Sequence, residues 1–391
     1  MERIPCQPRP DWAARVESVG LSYHTSPEGV AYWDESAFYR FTSAEIDELE
    51  AAAYELDRMC MAAVEEIVAT GQGETLGVPA AHLDLMAESW ERDEVSLVGR
   101  FDVVFDGRGE PPKLLEYNAD TPTGLLEAAV VQWHWMNDVF GGAAAREAAG
   151  AGIDQFNSLN ERLVEAWRAV GAMTGGSPVH VACVSSSDED LMNAAYLQDT
   201  AAQAGLGTAM LDMAQLGWNE PLAEWRGLHD EPVRALFKLY PWEMLLAEPF
   251  SANIARAPGT RWLEPPWKAL LSTKAILPVL HRMFPDSPYL LPADFRPLAA
   301  GPQVAKPMHG REGANIRMTD AAGRVLAETG GEYGGGVTVY QAMRELPDFG
   351  GRRPVIGLWM VNGTACGLGV RESDGPITTD TSRFVPHVFA G

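Results

Sequence analysis

A hydrophobic stripe from residue 42 to residue 70 limits the fold more than any other feature of this sequence. Its apolar residues recur every three or four positions, the spacing of one face of an α-helix. They are Ile46, Leu49, Ala53, Leu56, Cys60, Ala63 and Ile67. Thr42 and Glu45 form a capping-box pattern, and Gly71 supplies a stop. The stripe predicts a long core helix in which Cys60 is a packing residue and not a ligand.

A two-residue period from Gly99 to Asn118 predicts a β-hairpin. Apolar and polar residues alternate on both sides of a loop rich in glycine and proline, residues 106–112. If this loop closes symmetrically, the pairs are 105 with 113, 102 with 116 and 100 with 118. Residues two apart on a strand share a face, so the polar residues of this hairpin are expected to lie together.

Two carboxylates, Asp102 and Glu116, would then face each other across the hairpin, with Asn118 on the same face. Opposed like charges destabilise a strand pair unless something compensates them. Mg²⁺ is a suitable compensation, because it prefers a few hard oxygen ligands completed by water and substrate phosphates. Arg100, also on this face, would stabilise negative charge on a phosphoryl group. The hairpin therefore predicts a magnesium site, and a solvated polar face is the alternative.

A lysine and two glycines define a second segment, residues 304–315. Lys306 ends an apolar strand, and Gly310 and Gly313 follow it. Glycines let backbone N–H groups approach phosphate oxygens, and lysine adds a positive charge. The segment is not a Walker A loop, since GxxxxGK[ST] does not occur in the chain. We expect a mobile loop that covers phosphates, with an ordinary glycine turn as the alternative.

Two further cations are weaker candidates on residue pattern alone. Lys274 begins an apolar helix expected around Leu270–His281, where a surface lysine is the default. Arg371 ends a strand beside Glu372, where a structural ion pair is more common than a phosphate contact.

The rest of the pattern divides the chain into an α/β part followed by a β-rich part. Pro178–Val184 predicts a buried strand, the acidic segment Ser185–Asp190 a turn, and the residues up to Ala204 a helix, an order typical of α/β proteins. From Gln303 onward we predict six strands. They are Gln303–Lys306, Ala314–Thr319, Arg324–Glu328, Val337–Tyr340, Pro354–Val361 and Thr364–Arg371. Asn362-Gly363 between the last two is a strong hairpin signal.

Composition excludes several classes of function. The chain has 30 Lys and Arg against 54 Asp and Glu, a net charge of −24, which argues against a nucleic-acid partner. The charge suits a cationic substrate, although acidity also serves solubility. No signal peptide and no run of about 18 apolar residues is present, so we expect a cytoplasmic protein without a membrane partner. The scattered cysteines predict reduced thiols, and neither HExxH nor GxSxG occurs.

Several segments, in this order along the chain, resemble the synthetase half of glutathionylspermidine synthase. They are GRFDVVFDGRGEPPKLLEYNADTPTGLLEAAVVQW, LLSTKAILPVL, AKPMHGREGANI, VYQAM and GLGVRE. The chain looks still more like stand-alone bacterial acid–amine ligases of similar length, from Tyr32 to the SRFVPH segment. The resemblance implies an ATP-grasp-like fold of mixed α/β and α+β class. The matching segments belong to the synthetase half only, so we expect this chain to lack the amidase half of the bifunctional synthase.

The resemblance also implies one synthetase unit, residues 1–391, with four approximate parts. Residues 1–150 would carry the magnesium-binding hairpin, and residues 151–265 an α/β substrate part. Residues 266–350 would form the β-rich ATP-grasp lid, and residues 351–391 the strands that complete the ATP site.

The resemblance assigns roles to individual residues. Asp102, Glu116 and Asn118 match Mg²⁺ ligands, for two ions in all, and Arg100 and Arg371 match arginines at the reacting centre. The implied ATP-binding residues are Arg100, Phe101, Asp102, Lys274, Lys306, Gly313 and Gln341. The implied substrate residues are Thr121, Thr123, Glu189, Asp190, Leu239 and Met244.

The implied activity is an ATP- and Mg²⁺-dependent ligation of a carboxylic acid to an amine through an acyl phosphate. A phosphotransferase or ATPase on the same fold, and a non-catalytic nucleotide-binding protein, are the alternatives. Leu239 and Met244 stand where the synthase has two threonines that help hold its substrates. We therefore expect poor use of glutathione and spermidine. The sequence identifies neither the acid, nor the amine, nor the oligomeric state.

Overall fold

The structure is a computed structural model that describes residues 1–26, 29–148 and 152–390. Its α-helices are α1 (Trp12–Ser18), α2 (Ser43–Thr70), α3 (Leu83–Glu91), α4 (Gln132–Phe140), α5 (Ala143–Ala148), α6 (Leu159–Met173), α7 (Asp188–Gln203), α8 (Trp242–Leu245), α9 (Ala252–Arg256) and α10 (Ile276–Met283). Short 3₁₀-helices cover Gln72–Leu76, Ala80–His82, Met213–Gln215 and Pro266–Leu270, and a π-helix covers Glu127–Val131.

The strands are distributed over the whole chain. They are β1 (Glu2–Pro5), β2 (Ala37–Thr42), β3 (Val98–Val104), β4 (Lys113–Asn118), β5 (Ile153–Asp154), β6 (Val179–Cys183), β7 (Thr208–Asp212), β8 (Gly217–Asn219), β9 (Glu224–Arg226), β10 (Ala235–Leu239), β11 (Arg261–Leu263), β12 (Ala293–Asp294), β13 (Gln303–Pro307), β14 (Arg317–Thr319), β15 (Val325–Glu328), β16 (Thr338–Ala342), β17 (Arg353–Val361), β18 (Thr364–Ser373), β19 (Arg383–Val385) and β20 (His387–Ala390). Mixed helices and several sheets confirm the predicted α/β and α+β class.

The long helix α2 confirms the hydrophobic stripe. All seven apolar residues of the stripe are buried, and they pack into the larger of the two hydrophobic clusters. The capping box forms in both directions, because Thr42 accepts from the Glu45 N–H and Glu45 accepts from the Thr42 N–H. Gly71 ends the helix in the left-handed conformation, at φ 67°.

The central sheet joins the two ends of the chain in the order β19-β18-β17-β3-β4. β3 pairs with β17, so the predicted magnesium hairpin and the C-terminal strands share one surface. β17 and β18 meet through Asn362 and Gly363, whose φ values of 46° and 73° confirm the predicted tight hairpin turn.

The register of the β3–β4 hairpin agrees with the prediction at its polar end. Asp102 pairs with Glu116, and Arg100 pairs with Asn118. An irregularity after Asp102 shifts the remaining pairs by one residue, so Val104 pairs with Lys113. The predicted pairing of residues 105 and 113 is therefore wrong, because a symmetric loop does not allow for a bulge.

The α/β part contains a parallel sheet, β11-β10-β6-β7. β6 confirms the predicted buried strand. The acidic residues after it do not form a turn, however: Ser187 caps α7 through the Asp190 N–H, and residues 188–190 are the first helical turn. Carboxylates are stabilised at this end of a helix by the helix dipole, which explains the difference.

A second five-stranded sheet has the order β12-β16-β13-β14-β15. It lies within residues 266–350, the predicted lid, and is therefore called the lid sheet. It contains four of the six strands predicted in the C-terminal third, with the second shortened to β14 because Asn315 adopts a left-handed conformation at φ 54°. The helix expected around Leu270–His281 is two pieces, a 3₁₀-helix that ends at Leu270 and then α10 from Ile276. Lys274 lies between them. No helix in the described ranges is long and apolar enough to cross a membrane.

Candidate active site

A cleft of about 470 Å³ opens between the central sheet, the lid sheet and the N-terminus of α7. Most of the residues predicted for the site line it, although they come from distant parts of the chain. They are Arg100, Asp102, Glu116, Asn118, Thr121, Thr123, Glu189, Asp190, Lys274, Lys306, Gly313, Gln341 and Arg371.

Three predicted residues do not line the cleft. Phe101 is fully buried and stacks on Tyr117 at 4.0 Å, since strand alternation turns it away from its two polar neighbours. Leu239 is buried in the second hydrophobic cluster, and Met244 is 39% exposed elsewhere on the surface. A side chain outside the cleft cannot read a substrate there, so the argument against glutathione and spermidine loses its support.

Asp102 lies at the centre of a hydrogen-bonded group on the hairpin. The Arg100 Nε and Nη2 atoms donate to its two oxygens at 2.7 and 3.0 Å, and the Asn118 amide donates to it at 3.0 Å. Burial alone would lower the pKa of Arg100, but the charge and hydrogen bonds of Asp102, together with the charge of Glu116, outweigh burial and raise that pKa. Arg100 therefore stays charged at the cleft surface.

Glu116 is held by the lysine that the sequence left as a weak candidate. The Lys274 ammonium lies 3.0 Å from a Glu116 oxygen and also donates to the Gly310 carbonyl at 2.6 Å. Burial opposes ionisation of Glu116, but the charges of Lys274 and Lys306 outweigh it and lower its pKa to about 2. Lys274 thereby connects the hairpin to residues 308–313, called the lid loop.

Lys306 and Gln341 form a buried pair in the wall of the cleft. The Lys306 ammonium donates to the Gln341 side-chain oxygen at 2.8 Å and to the Leu115 carbonyl at 3.0 Å. The Gln341 amide nitrogen donates to the Leu114 carbonyl at 2.9 Å. Burial lowers the pKa of Lys306 to about 8, against the raising effect of Glu116. Gln341 thus fixes the lysine against the hairpin.

Arg371 is placed by backbone groups. Its Nε atom donates to the Ser382 carbonyl at 3.2 Å, and Nη2 donates to the Thr379 carbonyl at 3.1 Å. The neighbouring Glu372 instead pairs with Arg3 at 2.6 Å. The ion pair between Arg371 and Glu372 that was the alternative is not formed.

The sequence reasoning missed an ion pair that joins the lid loop to the cleft wall. The Arg311 guanidinium lies 3.0 Å from Glu243 and donates to the Thr121 hydroxyl at 3.2 Å. Gly313 approaches the C-terminal loop so closely that a Cβ would lie 2.3 Å from the Thr378 carbonyl. Arg311 and Glu312, the charged residues between Gly310 and Gly313, were the sequence signal that could have indicated this ion pair.

Acidic side chains form the opposite side of the cleft. Glu189 and Asp190 on α7 are joined there by Glu312 from the lid loop and Asp380 from the C-terminal loop. Burial, then the nearby Glu189 charge, raise the pKa of Asp190 to about 6. Burial and Glu189 likewise raise the pKa of Glu312.

The hairpin fits a magnesium ion better than a metal that needs an all-protein cage. Among the described residues, no three His, Cys, Asp or Glu side chains are grouped to hold a metal. Asp102 and Glu116 offer two carboxylates, and Asn118 uses its amide nitrogen as a donor, which leaves its oxygen available. Mg²⁺ takes one or two carboxylates and completes its shell with water and phosphate.

Comparison with known proteins identifies relatives over almost the whole chain. The profile of the family described as "Glutathionylspermidine synthase preATP-grasp" matches residues 3–390. A Haemophilus influenzae protein described as "Putative acid--amine ligase" is 38% identical over 402 residues, with 100% of each chain covered. Trypanothione synthetase of Crithidia fasciculata is 31% identical over 326 residues, which is 76% of this chain and 48% of that protein.

A longer enzyme matches along the same range. The bifunctional glutathionylspermidine synthetase/amidase of Escherichia coli is 25% identical over 405 residues, 96% of this chain and 63% of that protein. A glutathione synthetase-like effector of Globodera pallida shares the fold, at 10% identity and a TM-score of 0.57, with 96% of each chain covered. The chain therefore belongs to the glutathionylspermidine synthase family, a family of ATP-dependent ligases that form C–N bonds.

Proposed function

We propose that this protein joins a carboxylic acid to a cationic amine through an acyl phosphate. The acid carboxylate attacks the γ-phosphorus of ATP and releases ADP. The amine then attacks the acyl carbon through an uncharged nitrogen that carries a lone pair, while a further ammonium group keeps the molecule cationic. The new C–N bond displaces inorganic phosphate, and the nitrogen loses one proton to water. The observation that carries this proposal is that carboxylates and cations from the hairpin, the lid and the C-terminal strand converge on one cleft.

The cations of the cleft are suited to a reaction in which charge builds up on phosphate oxygens. Lys274 and Lys306 lie beside Glu116 under the lid, where a triphosphate would extend along the hairpin. Arg100 and Arg371 line the cleft from β3 and β18, two strands of the central sheet that are separated by β17. Positioning and electrostatic stabilisation supply most of the rate enhancement in phosphoryl transfer, so these residues suffice without a protein nucleophile.

Asp102, Glu116 and Asn118 would hold Mg²⁺, which when bound neutralises phosphate charge and orients the triphosphate. The same three residues fix the hairpin face through their own hydrogen bonds and pairs. Asp102 keeps Arg100 in place, and Glu116 keeps Lys274 in place.

The acidic side of the cleft favours a positively charged amine. Glu189, Asp190, Glu312 and Asp380 together place several carboxylates where the second substrate would enter. An ammonium group compensates such a cluster, whereas a neutral amine would leave its charges opposed. Thr121 and Thr123 lie between this side and the hairpin, where they can donate to the acid substrate.

The proposal is tested with an acid labelled with ¹⁸O in its carboxyl group. A screen of acids against amines, read by ADP release, first identifies a reactive pair. Mass spectrometry then follows the label. Transfer of one ¹⁸O atom to inorganic phosphate, together with the amide product, is the expected result. ADP formation without an amide would instead favour the phosphotransferase or ATPase alternative, and no ADP with any pair would favour a nucleotide-binding protein.

A further inference from the structure

Arg371 differs from most of the other cations that line the cleft. Three of those cations bond to a carboxylate of the chain. The pairs are Arg100 with Asp102, Lys274 with Glu116 and Arg311 with Glu243. Within the described ranges, Arg371 has no carboxylate oxygen within 4.0 Å of its guanidinium, the distance of an ion pair. Like Lys306, which bonds to two neutral oxygens, it therefore forms no direct ion pair, and the carboxylates of Glu127 and Glu312 act on its charge only from a longer distance.

Neutral groups hold this guanidinium in place. Carbonyl oxygens of residues 379, 380 and 382 accept its hydrogen bonds at 3.1 to 3.3 Å. The ring of Tyr32 lies below it, with the guanidinium carbon 5.3 Å from the ring centroid. An aromatic face attracts a guanidinium without cancelling its charge, so Arg371 remains able to bind an anion.

Tyr32 is itself fixed at both ends. Its side chain is buried, and its hydroxyl donates to a Glu127 oxygen at 2.7 Å. Its backbone N–H donates to the His24 carbonyl at 3.0 Å, and its carbonyl accepts from the Phe384 N–H at 2.6 Å. The ring therefore has little freedom to turn away from Arg371.

Glu127 is tied to the strand that carries Arg371. It begins the π-helix, a rare element that occurs often at functional sites. The next helix starts with Gln132, whose amide donates to the Ala128 carbonyl at 2.6 Å and to the Leu368 carbonyl at 2.9 Å. Leu368 lies three residues before Arg371 on β18. Gln132 thus joins the π-helix that carries Glu127 to the strand that carries Arg371.

We propose that Tyr32, oriented by Glu127, is a positioning residue for Arg371. The ring holds the guanidinium toward the cleft as an anion-binding cation that forms no direct ion pair. This inference rests on the proposed function, in which Arg371 faces the phosphoryl group that moves from ATP to the acid.

The test measures anion binding and not turnover. Inorganic phosphate is titrated into the full chain, and the Nε–Hε NMR signal of Arg371, assigned with Arg371→Met, reports its binding. Tyr32→Leu removes the ring, and we expect it to weaken phosphate binding roughly 3- to 30-fold, the range of a partly desolvated cation–π contact.

Fluorinated phenylalanines at position 32 keep the shape of the ring and withdraw its π density. We expect phosphate binding to weaken in steps with the number of fluorine atoms, which a merely structural ring would not produce. This series keeps the test valid even if Tyr32→Leu does not fold. Equal phosphate affinity along the series would overturn the inference.

Phosphate binding to Arg371→Met variants, which lack the Arg371 signal, is measured by isothermal titration calorimetry. The same loss for Tyr32→Leu in that background would also overturn the inference, because the effect would not pass through the arginine. The proposed function fails separately: graded phosphate binding without ligation by any acid–amine pair would remove the ligase proposal and leave the role of Tyr32 intact.

Discussion

Asp102 and Glu116 lie directly opposite each other on β3 and β4, and each carboxylate bonds to a different cation. Two opposed negative charges would destabilise a hairpin on their own. Arg100 and Lys274 supply such compensation within the chain. Under the proposed function, both carboxylates would exchange part of these bonds for Mg²⁺ at the cleft surface.

Glu116→Ala is expected to lower kcat for ADP release by about 10²- to 10³-fold, the effect of losing a metal ligand that stabilises transition-state charge. Circular dichroism and the melting temperature should stay close to wild type. Glu65→Ala, an exposed glutamate on α2, is the matched control and should leave kcat unchanged. Undiminished Mg²⁺-dependent turnover in Glu116→Ala would remove the residue from the metal site.

The lid loop is expected to become protected when nucleotide binds. Side-chain bonds hold residues 308–313 through Arg311 to Glu243, Lys274 to Gly310 and Thr329 to Gly313, and backbone bonds anchor the loop at Met308. Within the described residues, the backbone N–H groups of residues 309–313 form no hydrogen bond, so they can exchange until nucleotide covers them. Hydrogen exchange in a peptide covering residues 306–315 should slow on addition of a non-hydrolysable ATP analogue with Mg²⁺.

Glu243→Gln tests the same loop without nucleotide. Loss of the charge weakens the contact with Arg311, so exchange should be faster in the free variant and similar to wild type with the analogue bound. Peptides from α2 serve as the internal reference. Identical exchange with and without the analogue would argue against a lid.

The hairpin and the lid loop were predictable because both depend on local pattern. Alternation alone places Asp102 opposite Glu116, and the bulge that misplaced the other end of the hairpin left no sequence signal. Gly310 and Gly313 after Lys306 indicated a loop, and this loop lines the cleft. That it covers phosphates stays a prediction.

Contacts between distant segments were not predictable in this way. The Arg311–Glu243 pair joins residues 68 positions apart, and the Tyr32–Glu127 bond joins residues 95 apart. Leu239 and Met244 were assigned to the pocket from a similar motif, and this assignment was wrong. Similarity of a motif gives the position of a residue along the chain. Whether its side chain lines the cleft depends on how β10 and α8 pack.

A buried ion pair joins the hairpin to the α/β part, and breaking it should cost stability. The Lys238 ammonium lies 2.6 Å from Asp120, and both side chains are buried. Lys238→Met leaves Asp120 as an unpaired buried charge, which is expected to lower the free energy of unfolding by about 3–5 kcal/mol.

The double variant Asp120→Asn, Lys238→Met should lose less than Lys238→Met alone, because no unpaired charge remains. Arg40→Met, which breaks the exposed pair with Glu2, is the control and should change the free energy by less than about 1 kcal/mol. Urea denaturation measures all three. Equal losses in Lys238→Met and Arg40→Met would show that the buried pair contributes no more than a surface pair.

Asp190 is expected to set the acid limb of the pH profile for the amine. Burial, then the Glu189 charge, raise its pKa to about 6, so below pH 6 the carboxyl takes up a proton and loses its attraction for an ammonium group. The uncharged fraction of the attacking nitrogen also falls as the pH falls, so kcat/KM is calculated from the concentration of that uncharged form, which leaves only the change that belongs to the protein. Since kcat/KM reports the free enzyme, kcat/KM for the amine should fall about tenfold per pH unit below pH 6.

Two variants test whether the acid limb of the pH profile belongs to Asp190 or to a neighbouring group. Asp190→Asn should lower kcat/KM at pH 7 and remove the limb, because no carboxyl is left to titrate at that position. Glu189→Gln removes the neighbouring like charge, so the pKa of Asp190 should fall and the limb should move to lower pH. If the acid limb stays near pH 6 in Asp190→Asn, it belongs to another group. Glu312 on the lid loop is the next residue to test, because burial and the Glu189 charge also raise the pKa of Glu312.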